Sequence, residues 1–282
     1  MKPRRHMLRL LPAFALGLWA AARPAHAAPS SREDQPDASP QWLKVRASLF
    51  GQRPISPATA DQLALDTPVR AEDAAVVPVA IRSRLPTSGE QRLEKLYLLI
   101  DNNPSPVAAV FTLAPGSGQA DIETRVRIDE YTHVRAIAQL GDGRLLMATR
   151  WLKASGGCSA PPGKDPAAAQ ASLGRMRLKV EGEPQPGKPV LAQLMVSHPN
   201  SSGLAMDQLT RHYIPAHFVR RIDISYAGQP VLSADLDISI SENPNLRFWF
   251  VPQGAGELKA EVVDNQDLQF RSSLQLQPAR AL

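Results

Sequence analysis

Residues 151–165 read WLKASGGCSAPPGKD and hold Cys158, the single cysteine of the chain. A thiolate is a strong nucleophile and forms reversible covalent bonds, so one thiol in a distinctive setting is the first place to look for chemistry. Gly156 and Gly157 precede it, add no side-chain bulk, and let the backbone take conformations that other residues resist. From Leu152 to Cys158 the chain can reach ~20 Å when extended, far enough to carry a sulfur atom into a cleft on a partner. No C-x-x-C pattern surrounds Cys158, nothing places it at a helix N-terminus, and the nearest cations, Lys153 and Lys164, can be solvated. In an open linker such a thiol titrates near the reference value of about 8.5, so at neutral pH only about a few per cent is thiolate. Activating groups are then expected from a partner. The plain alternative is an inert linker cysteine.

The other reactive residue types form no comparable constellation. His133, His198, His212 and His217 remain once the N-terminal segment is set aside, and His212 and His217 miss the i, i+4 spacing of a zinc-binding helix. With the one cysteine in another segment, no metal site and no cofactor is read, and the histidines are assigned to structure. No glycine-rich phosphate loop follows a strand and opens a helix, and no G-x-S-x-G occurs. Asp223, Asp235 and Asp237 alternate as on a solvated strand face.

Compartment decides how unusual a lone thiol is. The chain opens MKPRRHMLRLLPAFALGLWAAARPAHAAPS: a basic start, an apolar run over residues 10–22, then Ala25-His26-Ala27 as a cleavage pattern. This reads as a secretory signal peptide over residues 1–27, by the general or the twin-arginine route. The run is too short for a stable membrane helix, and no later stretch can span a bilayer. The segment carries 5 of the 32 basic residues and no acidic one, which leaves 27 of each sign in the mature chain. A balanced chain without a dense basic face is not a nucleic-acid binder. In an oxidising exported compartment cysteines are normally paired, so a single one is incidental, used between chains, or reactive.

The elements that must position Cys158 are strands. Residues 28–40 are polar and Pro/Ser-rich and read as a disordered leader. Trp42, Val45, Leu49 and Phe50 follow at helical spacing, with Ser39 as cap and Gly51 as stop, predicting a short helix. Strand patterns then cover 75–81, 94–101, 106–114, 121–129, 133–140 and 144–153. In ETRVRID, Val126 and Ile128 take one face and Arg125 and Arg127 the other. Residues 154–174 are rich in Gly, Ala, Ser and Pro and read as a flexible linker. Strands resume over 175–182, 189–199, 217–228, 230–239, 244–252, 256–265 and 268–277. Short strands at spacings of about ten residues predict β-sandwiches. The expected organisation is all-β, with two immunoglobulin-like β-sandwich domains, residues 41–153 and 175–282, joined by the flexible cysteine-bearing linker.

These segments carry a resemblance. VVPVAI, YLLIDNNPSPVAAVFTL and TRVRIDEYTHVRAIAQLGDGRLLMATRWLKASGGC resemble the SoxY family of sulfur-oxidation carriers over about residues 41–160. HPNSSG, YIPAHFVRRI, SENPNLRFWF and VVDN, within residues 175–278, resemble the partner subunit SoxZ. The chain is thus similar to a single-chain SoxYZ fusion, of the kind associated with quinoprotein dehydrogenases. The resemblance implies that Cys158 carries sulfur intermediates covalently, that Gly156 and Gly157 give its arm flexibility, and that the second half contributes packing and a docking face. The family arm ends Gly-Gly-Cys-Gly-Gly, whereas Ser159 and Ala160 follow the cysteine here and the chain continues beyond it.

The resulting expectation is a periplasmic, non-enzymatic carrier that presents Cys158-bound cargo to sulfur-oxidation enzymes or a quinoprotein dehydrogenase. The alternative is an accessory binding module for such a dehydrogenase in which the cysteine is dispensable. An autonomous thiol enzyme would instead require a depressed thiol pKa.

Overall fold

The computed structural model describes residues 33, 35–161 and 166–277. The signal-peptide reading of residues 1–27 lies outside the described residues.

Helix α1 (Pro40–Phe50) forms where the sequence places it: Ser39 accepts a hydrogen bond from the Trp42 amide, Pro40 occupies the first position, and Gly51 ends it. Eight strands follow in the first half: β1 (Ile55–Pro57), β2 (Leu63–Asp66), β3 (Val77–Ser83), β4 (Leu93–Ile100), β5 (Val107–Leu113), β6 (Ile122–Val126), β7 (Thr132–Leu140) and β8 (Leu145–Leu152). A short helix α2 (Pro166–Ser172) precedes seven more: β9 (Met176–Glu181), β10 (Val190–Val196), β11 (Val219–Tyr226), β12 (Gln229–Leu236), β13 (Asn245–Phe250), β14 (Gly256–Asp264) and β15 (Gln269–Leu276). The alternating patterns become strands because one face of each can be buried. Val190, Ala192, Leu194 and Val196 of β10 point inward, with the residues between them only partly covered. The short strands β1 and β2 escape sequence reading: β1 buries no face, and β2, with Leu63 and Leu65 inward, is only four residues long.

Both sheets run through both halves. The larger has the order β1-β8-β7-β4-β5-β12-β11-β14-β15 and the smaller β2-β3-β6-β13-β10-β9. All pairings are antiparallel except β1 with β8. The two sandwiches therefore meet edge to edge, at β5–β12 with Phe111 opposite Ala234, and at β6–β13 with Ile122 opposite Phe248. Those four side chains belong to one apolar core that extends through both halves. Joining the sandwiches this way also removes four sheet edges that would otherwise invite aggregation.

Two segments expected to be flexible make specific contacts where they are described. Residues 33 and 35–39 of the leader lie against the outer face of the larger sheet. Arg135, fully buried in β7, donates to the Pro36 carbonyl at 2.5 Å, and the Glu33 carbonyl meets His133 Nε2 at 3.3 Å. Asp101 binds the same guanidinium at 2.8 and 2.7 Å, and Trp42 lies under it at 4.2 Å. Polar donors on the outer face thus give the leader's carbonyls partners that its composition does not reveal. With α1 above it, β7 is buried on both faces. The expected linker likewise contains α2 and, over residues 154–161, a packed turn.

Candidate functional site

Cys158 sits in the turn after β8, and the topology explains what surrounds it. β3 and β6 are antiparallel, so the approach to β3 and the exit from β6 share one end of the smaller sheet. β6 pairs with β13 and β13 with β10, both antiparallel, so β10 runs in the direction of β6. Its exit loop emerges at that same end. The seam thereby gathers Ala74, Arg127–Asp129 and Asn200–Ser202 around the turn.

The turn is fastened on both sides. The Gly156 and Gly157 amides donate to the carbonyls of Asp129 and Ile128, each at 2.8 Å. Ser202 Oγ donates to the Cys158 carbonyl at 2.5 Å, and Arg127 Nη1 to the Gly157 carbonyl at 3.3 Å. Ser155, Gly156 and Ser159 are exposed, while Cys158 between them is 0% exposed. The turn thus exposes its flanks and buries Gly157 and the sulfur between them.

The arm expected to be open is docked. Gly156 adopts φ +81°, a conformation open to glycine. At Gly157 a Cβ would stand 2.0 Å from the Ala74 carbonyl oxygen and 2.8 Å from that of Ile128. In the structure the two glycines let the turn dock closely against two neighbouring backbones. The expected solvent-like thiol is corrected as well: burial pushes Cys158 up to about 12, Asp129 adds to the effect, and Arg127 opposes it. A docked thiol with that pKa is protonated at neutral pH, the reverse of what an autonomous thiol nucleophile requires.

Three residues of the site escape the sequence reading. Arg127, placed by alternation opposite the apolar face, is only 4% exposed, because the β10 exit loop and the cysteine turn cover it. Asn200 joins the parts: its carbonyl accepts from Arg127 Nη2 at 3.3 Å, its amide donates to His198 Nδ1 at 3.1 Å, and its side chain bonds the Ile240 carbonyl and the Val219 amide, each at 3.0 Å. Ser202 closes over the cysteine. The signals available were an arginine inside a strand pattern and a run of small polar residues after β10, and neither is specific.

Two of the four histidines do come together. His198 and His217 both approach Asp264 Oδ2, at 3.4 and 2.7 Å, and their rings lie 4.5 Å apart. These three are the one such grouping among the described residues with atoms close enough to converge on an ion. The Asn200 amide is a fixed donor, so His198 Nδ1 must accept and Nε2 must carry the proton that points at Asp264. A metal on Nε2 would force that proton onto Nδ1, against another N–H. The donor pattern is therefore that of a hydrogen-bonded brace. Burial and the neighbouring His217 push His198 down to about 4, which keeps it neutral. His133 stacks edge-on with Trp151 under the leader, and His212 is exposed at a loop tip. Of the carboxylates read as a solvated face, Asp235 is exposed, Asp223 and Asp237 are half-buried, and Asp223 and Asp235 pair with Arg221.

Comparison with known proteins gives two family matches. Residues 46–158 match SoxY, the sulfur oxidation protein SoxY, and residues 176–275 match SoxZ, the sulphur oxidation protein SoxZ. No curated protein matches. Among solved structures, a superoxide reductase (neelaredoxin) from Ignicoccus hospitalis is 14% identical over 41% of this chain and 89% of its own, at a TM-score of 0.29. The fibronectin(III)-like modules of Clostridium thermocellum CbhA are 14% identical over 77% and 94%, at 0.24. A family 2 glycosyl hydrolase from Bacteroides cellulosilyticus is 10% identical over 72% and 24%, at 0.23. These structural likenesses are too weak to carry an argument. The family matches span both halves, the first ending at Cys158 and the second starting with β9: the chain is a SoxY domain and a SoxZ domain in one polypeptide, a SoxYZ-like fusion of the sulfur-oxidation carrier family.

Proposed function

We propose that this protein is a periplasmic, non-enzymatic carrier that holds sulfur intermediates covalently on Cys158 and presents them to partner enzymes. The observation that carries the reading is the place of the chain's one thiol: it ends the SoxY match and is clasped at the seam by Ser202 of the SoxZ half. The turn's exposed flanks allow it to lift. Exposed apolar side chains adjoin the turn's neighbours on both halves, Val69, whose carbonyl binds the Lys153 amide, and Leu204, whose amide binds Ser202 Oγ, and would give a partner a surface to grip. No helix among the described residues is long and apolar enough to cross a membrane. Intact mass spectrometry of the wild type beside Cys158→Ser, before and after incubation with oxidised sulfur donors, tests the reading. A mass gain confined to the wild type is expected; identical spectra would overturn it.

One observation favours a second reading. A fully buried thiol with a raised pKa suits a structural residue. The chain would then be an accessory docking module for a periplasmic quinoprotein dehydrogenase. A Cys158→Ser strain retaining full dehydrogenase-dependent growth would support it, and loss of that growth would exclude it.

A further inference from the structure

Arg127 is a buried cation with fewer partners than it can use. A guanidinium has five N–H donors. Here Nη1 and Nη2 each make one bond, to the neutral carbonyls of Gly157 and Asn200, both at 3.3 Å, at the long end for N–H···O contacts. Nε is buried with no hydrogen-bond partner. Asp73 and Glu242 act on the guanidinium through space, and burial outweighs them. An under-bonded buried charge is expensive unless something completes it. The group it faces on the turn side is the Cys158 segment, and its field acts on the sulfur against that of Asp129.

We propose, building on the carrier reading, that Arg127 is the positioning residue for negative charge on the Cys158 sulfur, drawing the turn into the seam when the cargo is anionic and releasing it when the cargo is neutral or cationic. The free Nε–H and the weakly held Nη groups are donors that an anionic substituent can take over without breaking a strong bond. The exposed side of the turn, at Ser155, Gly156 and Ser159, gives it room to rise by the width of an added group. A charge-assisted bond is about twice as strong as a neutral one. The cargo's charge would thus set how long the loaded sulfur stays covered, and SoxZ-half residue Asn200, through its grip on Nη2, would couple that choice to the second half.

The test loads Cys158 with two matched methanethiosulfonate reagents, one leaving a sulfonatoethyl group and one a trimethylammonium-ethyl group. In each case the thiolate attacks the sulfenyl sulfur, a disulfide forms, and methanesulfinate leaves with the bonding electron pair. Release of each adduct by dithiothreitol is timed in the wild type, Arg127→Gln and Arg127→Lys. The ratio of anionic to cationic release rates should be about tenfold lower in the wild type than in Arg127→Gln, the ratio that about 1.4 kcal/mol represents. Arg127→Lys should recover part of it. If Arg127→Gln fails to fold, the wild type alone decides: the anionic adduct should melt at the higher temperature. Equal release ratios, or equal melting of the two adducts, would overturn the role of Arg127 and leave the carrier reading standing. Failure of both reagents to label the native protein, when both label the unfolded chain, would overturn the two together.

Discussion

Replacing Gly157 by alanine is the sharpest perturbation of the cysteine turn. The new Cβ would stand 2.0 Å from the Ala74 carbonyl oxygen, far inside contact distance, and the obstructing atoms of Ala74 and Ile128 are all backbone. The turn has to move outward, which breaks the Gly157–Ile128 bond and loosens the Ser202 clasp. The thiol's pKa was held near 12 by burial, from an ordinary value of 9.0. That difference lowers the thiolate population at pH 8 about a thousandfold, and displacement of the turn gives most of it back. The sign follows from linkage: the docked turn holds its proton more tightly than the open one, so docking is fully favoured below about pH 9 and loses that advantage as pH rises towards 12. Iodoacetamide alkylation, followed by mass spectrometry against pH, reads this directly. In the wild type the rate should be low at pH 8 and climb without a plateau through pH 9 and beyond. In Gly157→Ala it should be about a hundred- to a thousandfold faster at pH 8 and level off near the ordinary thiol value. A wild-type plateau near 9, at the rate of a free cysteine peptide, would refute the docked thiol.

Ser202→Ala removes the side-chain donor to the Cys158 carbonyl and the acceptor of the Leu204 amide. It should speed alkylation at pH 8 by about five- to tenfold with a stability loss of about 1 kcal/mol in urea titration. Asp101→Ala leaves the fully buried Arg135 without its carboxylate. A loss of about 3–5 kcal/mol is expected, together with new protease sensitivity over residues 35–39, read by limited proteolysis and calorimetry. His198 is held neutral, at about 4, so its contribution to stability is complete above about pH 6.5 and falls away as pH drops through 4. Urea midpoints between pH 7 and pH 4 should decline more steeply in the wild type than in His198→Gln.

Much of the scaffold could be read in advance, and the reason is local. Strands β3 to β15 were each announced by alternation or a short β-branched run between turn residues, and burial on one face enforces that pattern. Helix α1 declared itself through the spacing of its apolar residues between Ser39 and Gly51. Strands β1 and β2 did not, because three or four residues are too few to show a period. The leader's contacts could not be read, because they are made to Arg135 and His133, about a hundred residues away, and composition says nothing about such partners.

The site divides in the same way. By itself, the sequence determined that the chain has one thiol, that two glycines precede it, and that it lies between a SoxY-like and a SoxZ-like stretch, since each of these is a matter of residue type and order. Tertiary structure alone decided that both sheets cross the seam, that Cys158 is turned inward, and that Gly157 serves close packing. It alone turned Arg127 from a residue opposite an apolar face into a buried cation beside the sulfur. Those outcomes depend on which strand ends meet, and pairings such as β6 with β13, between residues more than a hundred positions apart, leave no mark on local periodicity.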